Sequence, residues 1–460
     1  GLLAAIVLGA CTSAGQGGGT FSAGTPSIPV TTVAPSVDAL TPTPTMLPAL
    51  PVKVSTQSLV TDLQGNLHLV GEVLNEAGQA VTDVLLTLVA RDADGVSFFK
   101  TESGVLLPEV TFAPLLAALD NGQTTPFEYT LPAGTPASAS YQVFVSAYTP
   151  LTSSQLPLQV DHAQVMTAPG GEAVLVGELV NQNPVAVSVA AVAAILKDSG
   201  GAPLSAGRAS VLPGMLQPAG DNLNQNRAPF KIPFFTALTN GATWQVAADA
   251  MQTGTIDTSI FAIDQAVNVF VDTRGAVHLV SNLRNNAERP FKVQLMAAVY
   301  SSTGDVLDAA SLTLPVDLAA GSELPFDVMD FPLLVGKADQ LGKLDHYTLQ
   351  VDAARTLPSS LTWEKLSAKE SQAVQEGQGV WNFSGSAANT TTVELQKMVV
   401  IAMLKNHTTG AVVAVASADL VNPAGDIPSG VHMDYAIEVL TDPTSQDVLT
   451  PEVFVFGAGR

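Results

Sequence analysis

Apolar and polar side chains alternate with a period near two around Gly71, where Leu67, Leu69 and Val73 are set against His68 and Glu72. Alternation of this kind marks a half-buried strand, whose side chains point to opposite faces in turn. Similar runs recur down the chain, punctuated by Pro or Gly at intervals of roughly ten residues, and helical periodicity is scarce. Residues 362–375 are charged and contain alanine, and we read them as a strand-plus-loop variant rather than a helix. The apolar run at 185–196 is too short to cross a bilayer and reads as a buried strand.

The strands repeat. LHLVGEVLN, ending at Asn75, is matched by AVLVGELVN ending at Asn181, VHLVSNLRN ending at Asn285 and WNFSGSAAN ending at Asn389. The four asparagines are separated by 106, 104 and 104 residues. Each copy continues with an apolar segment running into a turn, at 84–95, 189–200, 293–304 and 395–410. Pro126-Phe127, Pro229-Phe230 and Pro325-Phe326 then open another strand, where the fourth copy has only Pro428. The copies close with strands at 141–147, 244–250, 347–353 and 453–456. A unit of about 100 residues with about seven short strands predicts a two-sheet sandwich. The chain is therefore expected to be all-β, with four tandem immunoglobulin-like β-sandwich domains at 52–150, 157–252, 260–354 and 357–459, after a disordered linker. Short linkers at 150–157, 252–257 and 355–360 are expected to restrict domain swing without forcing one angle. Gly71, Gly177 and Gly385 fall mid-strand, where a missing side chain permits a bulge or close sheet packing. With Asn75, Asn181, Asn285 and Asn389 they define the repeat structurally.

Residues 2–8 form an apolar run followed by Gly9, Ala10 and the single cysteine, Cys11. The sequence Leu8-Gly9-Ala10-Cys11 resembles the lipobox of bacterial lipoproteins, in which the cysteine receives a diacylglyceryl group. Residues 1–11 then read as a truncated lipoprotein signal peptide. The resemblance implies an extracytoplasmic protein, at the cell surface or in the periplasm, anchored to a membrane through lipidated Cys11. Residues 12–51 are rich in Gly, Ser, Thr and Pro, the composition of a disordered stalk.

The repeats resemble the FxLYD-type and related immunoglobulin-like modules of bacterial surface lipoproteins. The shared features are the Val-x-Gly-x-Val/Leu-x-Asn strand at Val70 to Asn75 and Val176 to Asn181, here with Gly second, and an apolar strand running into Asp92 and Gly95 or Asp198 and Gly200. Arg91 and Lys197 stand at the family's tyrosine, and Ser302 and Asn406 at the aspartate of the last two copies. The resemblance implies the fold far more than an activity.

With 41 acidic against 19 basic residues the formal charge is −22, which disfavours nucleic acid as a partner. Residues 52–150, 157–252, 260–354 and 355–460 carry −7, −2, −6 and −5, so the second copy is the first place to seek a partner face or an interdomain contact. One cysteine and six scattered histidines suggest no metal or redox cofactor. Asp92 and Asp94 could start a calcium loop, but no further carboxylate follows at the required spacing, so a tight turn is expected. Glu72 and Glu178 hold equivalent places on different domains and are expected on solvated strand faces, with His68 and His278 half-exposed beside them. Trp244, Trp363 and Trp381 could stack on sugars, although their places at strand starts favour packing. These features point to a tandem β-sandwich rod that serves as an envelope structural or protein-binding scaffold for other envelope proteins or surface polymers, without catalytic residues. A carbohydrate-binding or adhesion protein is the alternative, and a hydrolase with an inconspicuous site a third.

Overall fold

A computed structural model describes residues 50–459, apart from 137–138, 154, 221–224, 256, 258, 353 and 424. Leu8, Gly9, Ala10 and Cys11 lie outside the described residues, as does the segment 12–51 except for its last two positions. The fold is all-β, and each copy is built on six principal strands. In copy one these are Val52–Thr61, Leu67–Asn75, Val81–Arg91, Val110–Phe112, Thr124–Thr130 and Ser140–Pro150. Copy two uses Gln159–Thr167, Ala173–Val180, Val187–Lys197, Pro203–Arg208, Arg227–Pro233 and Thr243–Gln252. In copy three the first strand is split into Phe261–Ile263 and Asn268–Val271, followed by Val277–Asn285, Gln294–Ser301, Val306–Thr313, Glu323–Val328 and Leu344–Val351. Copy four has Thr362–Gly377, Val380–Ala388, Leu395–Asn406, Val412–Leu420, His432–Leu440 and Leu449–Gly459.

Every pairing is antiparallel, as short turns between successive strands require. The first, second and fifth strands make one sheet and the third, fourth and sixth the other. In copy four the first strand joins both sheets: Thr362 to Leu366 pair with the sixth strand and Ser367 onward with the second. Glu370, at a φ of 52°, marks the bulge. The charged stretch at 362–375 is thus a strand. About seven strands per copy were expected, and the six principal ones leave the sixth strand at the edge of its sheet in copies one to three.

The repeated asparagine is a buried pin. Asn75, Asn181, Asn285 and Asn389 are fully buried at the end of the second strand. Each side-chain amide donates to the carbonyl four residues on (Gln79, Val185, Arg289, Val393) and to a carbonyl before the fifth strand. Each Oδ1 accepts the N–H two residues on. One side chain thereby closes the turn and ties it across the sandwich.

The mid-strand glycine has an equally local cause. Gly71, Gly177 and Gly385 lie opposite Phe127, Phe230 and Tyr435 on the fifth strand, and in copy three Ser281 faces Phe326. The aromatic ring lies over the glycine, and the first strand bulges past it, so a Cβ at Gly177 would meet Ala163 Cβ at 2.7 Å. Copy four therefore does carry the aromatic, as Tyr435, without the preceding proline.

Two smaller expectations change. Leu357–Pro358, assigned to a linker, pairs with Phe291–Lys292 and belongs to copy three. The one helix among the described residues, Ala338–Leu341, had no signal in the pattern.

Candidate functional site

The charged residues singled out from sequence converge on the junctions between copies. Packing there is sheet on sheet. The fourth strand of each following copy lies across the first, second and fifth strands of the preceding one. Val60 and Val70 of copy one meet Ile195 and Ala206 of copy two, and Leu116 meets Ala191 and Ala193. This explains the apolar run at 185–196: Val192, Ala194 and Leu196 fill the core of copy two while Ala191, Ala193 and Ile195 cover copy one. The same arrangement sets Val174 and Val176 against Met296, Ala298 and Ala309. Copies three and four share one continuous apolar cluster, and Asn268 Nδ2 donates to the Val413 carbonyl at 2.8 Å.

Glu72 and Glu178 were expected in water, but they are only 4% and 6% exposed. Each sits on the outer face of a second strand and is covered by the next copy. Glu72 Oε2 lies 2.7 Å from Lys197 Nζ and accepts from Thr56 Oγ1 at 3.1 Å. Glu178 accepts from Tyr300 Oη at 2.7 Å and from Arg227 Nη1 at 2.8 Å, while Arg227 Nη2 reaches Asp161 at 3.0 Å. Burial, with Glu178 close by, pushes the Tyr300 hydroxyl well above its ordinary pKa. Lys197 is the last residue and Tyr300 the last but one of the third strand of their copies, so one contact is made twice with different chemistry. The aspartate position after it is Ser301, not Ser302. Asp92 Oδ1 and Asp198 Oδ1 each accept two turn N–H groups, and Ser301 Oγ accepts from Asp305. Asp92 thus serves its own turn.

Lys231 of copy two and Asp308 of copy three form a buried pair at 3.0 Å. Asp308 also accepts the N–H groups of Ala309 and Leu333, at 2.7 and 2.8 Å. Burial nonetheless raises its pKa.

His68 and His278 are buried too. His68 is held by Glu128 at 2.7 Å and Asp62 at 3.1 Å, and its ring stacks on Phe235 of copy two at 4.0 Å. His278 lies between Asp327 at 2.7 Å and Asp272 at 3.3 Å and stacks on Phe270 at 4.5 Å. Burial opposes the charge on both rings, but the paired carboxylates outweigh it and raise both pKa values. Each carboxylate takes a different ring nitrogen, so neither group presents converging ligands to a metal.

Trp244, Trp363 and Trp381 are half-buried against the cores of copies two and four. Beside Glu178 and Arg227 opens a cleft of about 600 Å³ between copies two and three, walled also by Pro229, Phe261, Ile263 and the strand residues 348–351.

The small residues of the fourth strand were missed from sequence. Ser205, Ala206 and Gly207, Ala309 and Ala310, and Ala414 and Ala416 recur at the same stage of copies two to four. Small side chains let one sheet approach another closely, and this pattern is where the junctions were written. No family model matches the chain, and no curated protein matches it.

Proposed function

We propose that the chain is an extracytoplasmic scaffold, anchored through lipid on Cys11, whose four stacked sandwiches hold envelope components at a set distance from a membrane. The observation that carries this reading is the burial of Glu72, Glu178, Lys231 and Asp308 between successive copies. Charged groups taken out of water need their partner in place, so a junction built on them resists bending. A set of domains on free linkers has no use for such pairs. The residues common to all copies, the asparagine pin and the aromatic over the second strand, serve folding. Those that vary serve the joints.

The outer faces support a finite array. The outward positions His68, Val70 and Glu72 of copy one become Asn382, Ser384 and Ser386 in copy four. Polar side chains on an outer face make its burial under another sheet costly, which keeps a stack from growing there. The FxLYD-like resemblance and the lipobox are consistent with a surface lipoprotein, and the net charge of −22 keeps such a body soluble.

Two measurements test the proposal. Sheets pack about 10 Å apart, so two sheets in each of four copies give a body on the order of 80 Å long. Single-particle images of the full chain should show that length with little variation, and a string of independently oriented domains would overturn the stack. Acyl labelling in cells should require Cys11, and label on a Cys11→Ser variant, or none on the native chain, would overturn the anchor.

A further inference from the structure

The sixth strand of every copy has one neighbour in its own sheet, the third strand, which leaves its other edge to be covered. Copy four covers it by pairing Thr362 to Leu366 along Gly459 to Val455. In copy two the chain entering the sandwich does so, with Leu156 N–H donating to the Ala250 carbonyl at 2.8 Å. In copy one the first strand lies against the sixth. Copy three differs. Among the described residues, its first strand is split into two short pieces that pair with the second strand alone, and Leu344–Val351 pairs with Gln294–Ser301 alone, while Ala353, the counterpart of Ala250, lies outside the described residues. The cleft of about 600 Å³ lies along this open edge.

The wall of the cleft shows its chemistry. Thr348, Leu349, Gln350 and Val351 all line it, although successive side chains of a strand point to opposite faces. A wall of consecutive residues is a strand seen edge-on. Asp352 N–H donates to the Gln294 carbonyl, so by antiparallel alternation Thr348 and Gln350 also turn their backbone groups toward the third strand. The N–H and C=O groups of Leu349 and Val351 then face the cleft. Phe261 and Ile263, partly buried against the core of copy three, also line the cleft, as do Arg227 and Glu178.

We propose that this cleft binds an extended segment of a partner protein, which adds as a strand to the outer edge of Leu344–Val351. In two of the other copies an extended piece of backbone bonds to this edge, so the fold itself indicates the kind of occupant. Strand addition takes its affinity from main-chain hydrogen bonds and its selectivity from pockets for alternate side chains. The segment is therefore apolar at every second position, toward Phe261 and Ile263, and not acidic, since Asp161 and Glu178 outnumber Arg227. The inference rests on the protein-binding side of the scaffold reading.

The test uses a displayed library of ten-residue random peptides panned on the full chain, with the selected peptides then synthesised. Alternating apolar sequences are expected. Val351→Pro removes one outward N–H while sparing the ladder to the third strand, and should weaken binding at least ten-fold. Val351→Ala, which keeps that N–H, should change it less than three-fold. N-methylation of the peptide at alternate residues should abolish binding in one phase and leave it intact in the other, a readout that does not depend on the proline variant folding. A library without binders, or binders indifferent to both Val351→Pro and N-methylation, overturns the proposal. Either result would leave the imaged length of the stack unchanged, so failure at the cleft is distinguishable from failure of the scaffold.

Discussion

Lys231 Nζ lies 3.0 Å from Asp308 Oδ1, and the two residues belong to different copies. Asp308 has no exposed surface, so its charge relies on that ammonium and two backbone N–H groups. Removing one partner of a buried pair costs about 3–5 kcal/mol, whereas replacing both with apolar groups is often neutral. We therefore expect Lys231→Met to destabilise the chain by about 3 kcal/mol and Lys231→Met with Asp308→Leu to recover most of it. Urea unfolding of the native chain, Lys231→Met, Asp308→Leu and the double variant measures this, and additive losses would show that the two groups are not coupled.

The asparagine pin gives a second expectation. Asn285 donates to the carbonyls of Arg289, Leu318 and Ala319 and accepts from Ala287, all within 2.8–3.1 Å. Asn285→Ala leaves buried backbone groups without partners, at about 1–3 kcal/mol for each group that water cannot reach. A total loss of about 3 kcal/mol is expected, while the exposed neighbour changed as Asn286→Ala stays within about 0.5 kcal/mol. Equal effects at the two positions would remove the pin from the account.

The fold was legible because strand period and repeat spacing are local and recurrent. Asn75 to Asn389 mark the same point of one unit, and the run at 185–196 announced a strand buried on both faces. The joints were not legible at Glu72 and Glu178. An outward residue on a second strand reads as solvated, and nothing in its own strand says whether water or another sheet lies beyond. The low charge of copy two did not single out a contact either, since copy three, at −6, is covered on both sides as copy two is. Tyr435 lacks the Pro-Phe pair that marks the other three copies, since the physical need is only an aromatic opposite a small residue. The open edge beside Val351 depends on which strands fail to pair, and no residue pattern announces an unpaired edge.

Stability should depend on pH through the two histidines. Their native pKa values are raised, so the folded state holds the proton more tightly than the unfolded chain, whose value is near 6.5. The contribution is complete below about pH 6.5 and is lost as pH rises through the native values. The Asp62 carboxyl behaves oppositely: burial works against its charge, but Asn66, His68 and turn N–H groups lower its pKa to about 2. Its contribution is present above the unfolded value of about 3.9 and fades as pH falls toward 2. Urea midpoints should therefore fall between pH 6 and pH 9, and less steeply in a His68→Gln, His278→Gln double variant. An identical slope in that variant would assign the loss to other groups.

The polar face of copy four should be what ends the stack. Asn382, Ser384 and Ser386 stand where copy one presents His68, Val70 and Glu72, and the latter three are buried by the following copy. At the far end, Arg91 of copy one holds the place that Lys197 holds in copy two and is exposed. Each face of the array thus has a complement at its opposite end, blocked by three polar residues. Contacts between unlike faces do not close and propagate instead. The triple variant Asn382→His, Ser384→Val, Ser386→Glu recreates the copy-one face, and the carboxylate introduced by the last change is placed to meet Arg91 of another molecule. Sedimentation should show concentration-dependent head-to-tail association of this variant, weakened by adding Arg91→Glu, and no association of the native chain. A variant that stays monomeric at every concentration would show that the end of the stack is set elsewhere, in the irregular segment around Val105 and Leu106 that copy one carries in place of a longer fourth strand.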